Sequence, residues 1–321
     1  MQATIRCPAK LNLTFDILSL RKDGYHDVES IFQSITLEDE LHLSVEKAAE
    51  KDFQIHSENP RIKKMMPMDR SNLMGKAAEL FLEKLRPDAN YKIEVLIEKK
   101  IPIGAGLAGG SSNAAGILQG LNKCFENIFS PKELSDLAAQ IGSDVPFCLK
   151  GGTCIGRARG EILEEIPCKL KLSYCIVKPR KLSVSTPWAF KKFDEYKQEL
   201  DRPKLNAVAK SLKEGDLEAT LCGLGNVFEK VIFSEHPELA ELKQELLKHG
   251  AWACHMTGSG PTLFAVVAGR EMGHQIRRQI LHDDDIGFVY GTEDIILEAL
   301  PPIDFRLAEN SELGARVISS N

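Results

Sequence analysis

The residues best suited to chemistry are gathered in Pro102-Ile-Gly-Ala-Gly-Leu-Ala-Gly-Gly-Ser-Ser-Asn-Ala-Ala-Gly116, where glycines 104, 106, 109 and 110 fall within seven positions. Glycine admits φ > 0 and lets a backbone approach a ligand closely. A helix that starts at such a loop presents free N–H groups and the positive end of its dipole, both of which favour an anion. Ser111 and Ser112 add hydroxyls at the helix entry, suited to a phosphate or a metal-bound oxygen. The stretch reads as a phosphate cradle; a tight turn that packs a helix onto a sheet would give the same pattern. It is not a Walker loop, because no Gly-Lys-Ser/Thr follows. Gly104, Gly106 and Gly109 match dinucleotide-binding spacing, but no acidic residue stands about 20 residues on at a strand end.

Polar groups recur at four other places. Lys10 and Asn12, in Pro8-Ala-Lys-Leu-Asn12, share one strand face because side chains repeat every two residues; an exposed edge-strand lysine fits the same pattern. Asp23-Gly24 is a hairpin signal that presents Tyr25 and His26 together. A phenol ring and an imidazole suit a flat partner, one by stacking and one by hydrogen bonding. Asp144, in Gly142-Ser-Asp-Val-Pro-Phe147, reads as the N-cap of a short helix with Pro146 in its first turn. Gly258-Ser259-Gly260 exposes backbone N–H groups to an anion, or simply turns a hairpin.

The elements that must position these groups follow from periodicity. Tyr91 to Ile97 alternates and is rich in β-branched residues, so a strand enters the glycine loop; Ala114, Ile117, Leu118, Leu121, Cys124 and Phe125 recur at helical spacing behind it. Residues 2–20 read as two short strands broken at Pro8, with Leu11 and Leu13 toward the core, and Val28 to Val45 as further strand. Residues 47–70 read as a loop. Ser71-Asn72 opens a helix along Leu73, Ala77, Leu80, Phe81 and Leu85, and Ser130-Pro131-Lys132-Glu133 is a capping box for a helix that Gly142 ends. Further on come a strand at 172–177, a loop at 179–190 carrying Thr186 and Phe190, and helices near 205–213, 216–233 and 237–248. A strand–turn–strand spans 252–267, and 301–321 reads as a loose polar tail.

A chain of 321 residues suits two domains, placed at 1–165 and 170–300. With 43% hydrophobic and 27% charged residues it has ordinary globular composition. A net charge of −5 argues against a general nucleic-acid or anionic-membrane binder. No apolar run reaches a membrane-spanning length, and Thr4 to Lys10 lacks a signal-peptide core. The eight cysteines form no Cys-x-x-Cys pair, which points to reduced thiols in a cytoplasmic setting rather than to zinc or a disulfide scaffold.

Taken in order, Pro8–Asn12, Pro102–Ser112 and Met256–Thr262 resemble the three signature motifs of the GHMP kinases, the galactokinase, homoserine, mevalonate and phosphomevalonate kinase superfamily, over roughly residues 2–300. Asp23 to Ser30 and Gly142 to Phe147 narrow the resemblance to kinases of the non-mevalonate isoprenoid route, whose alcohol substrate carries cytidine diphosphate. The resemblance implies an α+β, two-domain GHMP kinase fold. Its N-terminal domain is ribosomal protein S5 domain 2-like, its C-terminal domain is an α/β sandwich, and the active site lies in the interdomain cleft. It implies ATP and Mg²⁺ as cofactors, a small-molecule partner, and neither nucleic acid nor membrane.

By position, Lys10 and Asp144 match the catalytic pair. Asn72, Lys99, Pro102, Gly104, Gly106, Leu107, Gly109, Gly110, Ser111 and Ser112 match the nucleotide-binding positions. Asn12, Tyr25, His26, Phe32, Thr186, Phe190, Gly258, Ser259 and Gly260 match the substrate side, and no residue is assigned to the metal. Ala105 and Ala108 stand where some relatives have glycine, a change that a negative φ accommodates. Another small-alcohol kinase of the superfamily, or a non-catalytic nucleotide-binding regulator on the same fold, are the alternative readings.

Overall fold

Two strands far longer than the usual five or six residues carry the first sheet. β1 (Gln2–Leu20) and β2 (His26–Lys47) pair antiparallel along nearly their whole lengths, joined by a turn in which Gly24 has φ +82°. The structure is a computed structural model that describes residues 1–86, 88–179, 182–196, 198–280, 303–311 and 314–320. Residues 281–302, which were expected to close the second domain and open the tail, lie outside the described residues. The strand expected to break at Pro8 instead runs on, with its register to β2 shifting between Pro8 and Lys10 and again between Asn12 and Thr14. Such shifts re-aim side chains without ending the pairing.

The remaining elements of this first half follow in order. They are β3 (Asp52–His56), α1 (Ile62–Met65), α2 (Leu73–Leu85), β4 (Tyr91–Glu98), α3 (Gly109–Cys124), α4 (Pro131–Ile141), α5 (Val145–Lys150), β5 (Thr153–Arg157) and β6 (Ile162–Glu165). β3 and α1 occupy the region read as a loop: Phe53 and Ile55 alternate inward, a signal short enough to be lost among charged neighbours. The C-terminal half of β2 pairs with β4 and its N-terminal half with β5. Helices α2, α3 and α4 cover one face, packing Ala77, Phe81, Ile117, Leu118, Leu121 and Leu137 against Ile5, Leu41, Leu43 and Val95.

The second sheet is built from β7 (Ser173–Pro179), β9 (Ala253–Met256), β10 (Leu263–Val267) and β11 (Ile303–Ser311). Around it lie α6 (Thr186–Glu195), α7 (Leu205–Glu214), α8 (Leu217–Gly223), α9 (Phe228–Glu235), α10 (Pro237–Lys248) and α11 (Arg270–Ile280), while the two-residue strand β8 (Gly225–Asn226) reaches back to pair with β1. The described residues of the stretch read as a loose tail are mostly strand. β11 pairs with both β7 and β2, and β12 (Arg316–Ser320) adds to the edge of β1. The reason is geometric, since strands β1, β2 and β7 each present backbone groups that need a partner. Ala315 is buried, and its N–H donates to the Cys148 carbonyl at 2.8 Å.

A core of Leu11, Leu13, Ile31, Ile35, Tyr174, Ile176, Val208, Leu212 and Phe264 joins the two sheets, and the glycine loop contributes Ile101, Ala105 and Leu107 to it. The loop is thus held on hydrophobic anchors between its glycines. Helix α3 lies so close to β1 that a Cβ on Gly116 would meet Cys7 Sγ at 2.4 Å and Leu41 Cδ1 at 3.2 Å. Alanine has the better helix propensity by roughly 1 kcal/mol, but overpacking a tight core costs about 1–3 kcal/mol. Gly116→Ala is therefore expected to lower the urea midpoint; an unchanged or raised midpoint would show that α3 and β1 have room to part.

Candidate active site

Both halves of the chain line a cleft of about 1000 Å³. At its centre, β1 aims Lys10 inward. Its side chain is 5% exposed, and Nζ donates to Asp144 Oδ1 at 3.0 Å. The ammonium also sits 4.5 Å from the centroid of the Phe32 ring, which itself rests on Phe147. Asp144 does occupy the N-cap position of α5, yet its side chain caps nothing and is spent on Lys10 instead. One carboxylate oxygen is therefore engaged by the lysine, and the half-open side chain faces the cleft. Cys148 lies buried below this pair, where burial first and the Asp144 charge second push its thiol far above the usual range.

The glycine loop forms one wall. Pro102, Gly104, Gly106, Leu107, Gly109, Gly110 and Ser111 line the cleft as expected, with Lys99 and Asn72 beside them. Gly104 and Gly106 have φ of +64° and +72°, a region that favours glycine. Ala105 fits the negative-φ expectation, but Ala108 does not: it takes φ +55° as the residue before α3. It supplies no side-chain cap, and the first-turn amides of the helix face the cleft without one. Ser112 is a departure from the expected set. It is fully buried, and its hydroxyl donates to the Pro8 carbonyl at 2.7 Å, tying α3 to β1 rather than lining the wall. Asn72 caps α2 by accepting from the Met74 N–H at 3.1 Å.

The opposite end is aromatic. His26 stacks on Phe190 at 4.8 Å with rings 22° apart, and its Nε2 lies 2.9 Å from Asp194 Oδ1. Tyr25 is exposed, with the Arg159 guanidinium 5.1 Å from its ring centroid. Thr186 and Phe190 do not sit on a loop. Ser185 caps α6 and Pro187 follows in its first turn, a start signal that the serine-rich context obscured. Thr186 Oγ1 lies 3.0 Å from Ser259 Oγ, closing α6 onto the 258–260 turn. Gly258 and Ser259 line the cleft, whereas Gly260 supports from behind: a Cβ on Gly106 would meet its carbonyl oxygen at 3.1 Å. Asn12 is buried, its N–H donating to Thr257 Oγ1 at 2.9 Å and its Nδ2 to Ser30 Oγ at 2.8 Å. The sequence alone assigns no site role to Asp194, Arg159 or Asp39. Asp39 carried a signal, as a carboxylate on the apolar face of a strand that continues through Leu41, Leu43 and Val45.

The chain has relatives among known proteins. Residues 72–152 match the model for the GHMP kinases N terminal domain, and residues 208–283 match that for GHMP kinases C terminal. A 4-diphosphocytidyl-2-C-methyl-D-erythritol kinase of Enterococcus faecalis is 39% identical over 276 residues, 86% of this chain and 94% of that protein. One from a Synechococcus species is 38% identical, over 88% of this chain and 91% of its own. A crystal structure of 4-(cytidine 5'-diphospho)-2C-methyl-D-erythritol kinase superposes with a TM-score of 0.71 at 26% identity, covering 97% of this chain and all (100%) of that one.

The 258–260 turn depends on a buried polar support. Glu229 accepts from the Met256 N–H at 2.7 Å, contacts His255 Nδ1 at 3.1 Å and pairs with Lys243 at 2.6 Å. Burial alone would raise its pKa, but His255 and Lys243 outweigh burial and leave it below the ordinary value. A carboxyl whose folded pKa is depressed adds stability that is complete above its unfolded pKa, about 4.3, and is lost as pH falls below it. Glu229→Gln is therefore expected to lower stability at pH 7 and to shrink the loss between pH 7 and pH 3.5, read by urea unfolding at both values. An equal loss at both pH values would assign the effect to packing alone.

Proposed function

The chain belongs to the 4-diphosphocytidyl-2-C-methyl-D-erythritol kinase family of the GHMP kinases, and on that footing we propose how its cleft does the work of that family. It is an ATP-dependent kinase that phosphorylates the 2-hydroxyl of 4-diphosphocytidyl-2-C-methyl-D-erythritol. The products are the 2-phosphate and ADP, on the non-mevalonate route to isoprenoid precursors. The observation that carries the assignment of roles is the 3.0 Å Lys10–Asp144 pair, set between the glycine wall and the His26–Phe190 stack.

Phosphoryl transfer asks the protein for position and for charge complementarity more than for covalent chemistry. The amides of Gly109 to Ser111 and the Lys99 ammonium hold the triphosphate, with Asn72 and Pro102 on its nucleoside side. His26, Phe190 and Tyr25 hold the cytosine, and Asn12, Phe32, Thr186 and the 258–260 turn border the alcohol and its diphosphate. Asp144 takes the hydroxyl proton as the alcohol oxygen bonds to the γ-phosphorus and the bond to ADP breaks. Lys10 holds the Asp144 carboxylate in place and balances negative charge on the attacking oxygen.

Ser111 and Asp144 offer hard oxygen ligands in the cleft, a small donor set that suits Mg²⁺, which prefers phosphate oxygens and water for its remaining positions. When bound, the ion supplies charge neutralisation on the phosphates. In this reading the described residues of 1–165 form one unit beside the cleft and those of 170–280 the other. Among the described residues no helix is long and apolar enough to cross a membrane. No two of the eight cysteines are joined in a disulfide, as expected of a cytoplasmic setting.

A coupled ADP-release assay with 4-diphosphocytidyl-2-C-methyl-D-erythritol is expected to show turnover that mevalonate and homoserine do not support; turnover of either of those instead would overturn the substrate. In the same assay Asp144→Ala is expected to lower kcat by about 10²-fold or more, and a near-normal kcat in the folded variant would remove Asp144 from proton transfer. Phe190→Ala is expected to raise KM for the cytidine substrate while leaving KM for ATP unchanged, and the reverse pattern would place the cytosine elsewhere.

A further inference from the structure

One carboxylate ties both ends of the glycine loop to Lys99, and the sequence motifs do not include it. Asp39 is fully buried on β2, 0% exposed. Its Oδ1 accepts from the N–H groups of Lys100 and Ile101, both at 2.8 Å. Its Oδ2 accepts from Asn113 Nδ2 at 2.9 Å and from Lys99 Nζ. These donors belong to three different parts of the wall. Lys100 and Ile101 are where the chain leaves β4 and enters the loop, Asn113 is in the first turns of α3 where the loop ends, and Lys99 lines the cleft. A carboxylate has about four acceptor sites, and here each receives one donor.

We propose that Asp39 is the positioning residue of the phosphate-binding wall. It fixes both ends of the glycine loop and holds the Lys99 ammonium beneath the start of α3. Lys99 Nζ lies where a Cβ on Gly109 would be 2.9 Å away, so the ammonium sits directly behind the first amide of the helix. Asp39 occupies one of the three donors of that ammonium. Without the carboxylate, Lys99 would be an uncompensated charge with a side chain only 5% exposed, and it would have to swing outward to reach water. An asparagine there keeps an oxygen for the two loop-entry amides but loses the charge that holds Lys99. Asp39 touches no reacting atom; it acts through Lys99 and through the backbone. The inference rests on the glycine wall being the ATP side of the cleft.

The test compares the two substrates within the same protein. In Asp39→Asn, KM for ATP and the calorimetric Kd for ADP are expected to rise by about tenfold or more, the scale of one lost charge-assisted contact. KM for 4-diphosphocytidyl-2-C-methyl-D-erythritol and Kd for CDP are expected to stay within about twofold. Lys99→Met is expected to weaken ADP binding as well, and the double variant Asp39→Asn/Lys99→Met to be no weaker than Asp39→Asn alone, because one effect runs through the other. Should Asp39→Asn not fold, the double variant removes the buried charge imbalance, and its ADP and CDP affinities make the same comparison. Equal weakening of ADP and CDP, or unchanged ADP affinity in a folded variant, overturns the proposal. If the unsubstituted protein consumes no ATP with the cytidine alcohol, the reaction assignment fails, while the ADP and CDP titrations still decide the role of Asp39.

Discussion

A lysine ammonium that a strand carries into the interior must be met by a negative charge, and the pairing of Lys10 with Asp144 is the contact on which the arrangement of the cleft depends. The partners stand 134 residues apart. Bringing them to 3.0 Å requires α5 to lie against β1, which in turn requires α3 and α4 to be packed on the first sheet. The pair is asymmetric in exposure, with side chains 5% and 36% accessible. The lysine is fixed by its surroundings, and the carboxylate keeps a face toward the cleft. That asymmetry suits a group that must be held in place yet accept a proton from a substrate.

The glycine wall is placed by backbone as much as by side chains. The Lys10 N–H donates to the Leu107 carbonyl at 3.0 Å, so the loop is anchored on the residue that carries the catalytic charge. On its other flank, Gly106 packs against the backbone of Thr257 and Gly260. Thr257 in turn receives the Asn12 N–H through its hydroxyl. The three motifs therefore touch one another through main-chain groups and the Thr257 hydroxyl. This explains why small residues recur in two of them, since a side chain at Gly106 would push the loop away from the turn. Ile101, Ala105 and Leu107 reach into the core joining the two sheets, which couples loop position to the packing of the whole molecule.

Much of this was legible in the sequence. The strand–loop–helix around 102–116, the Asn72 and Ser130 helix starts, and the inward Leu11 and Leu13 all follow from local rules of spacing and capping. What was misread failed for identifiable reasons. The strand at 303–311 forms by pairing with β7 and β2, partners more than a hundred residues away along the chain, and local polarity hid it. Ser112 carries the hydroxyl expected of a phosphate ligand, but the helical phase turns it toward Pro8. Ala108 holds a left-handed conformation that its residue type disfavours, because the loop must reverse there to start α3. Asp39 sits at an apolar strand position, a local contradiction of the kind that marks a polar network.

The sequence by itself determined the types of group available and their local settings: a loop able to cradle an anion, a lysine and an asparagine on one strand face, an aromatic pair at a turn, and an aspartate before a short helix. Those properties depend on neighbours a few residues apart, where spacing and dihedral preference decide. Only the tertiary structure decided which of these groups meet. It joined Lys10 to Asp144, His26 to Phe190 and Asp194, Thr186 to Ser259, and Asp39 to the two ends of the glycine loop. Such contacts are set by how two sheets and their helices bury a common core. That packing is a property of the whole chain, so no window of sequence contains it.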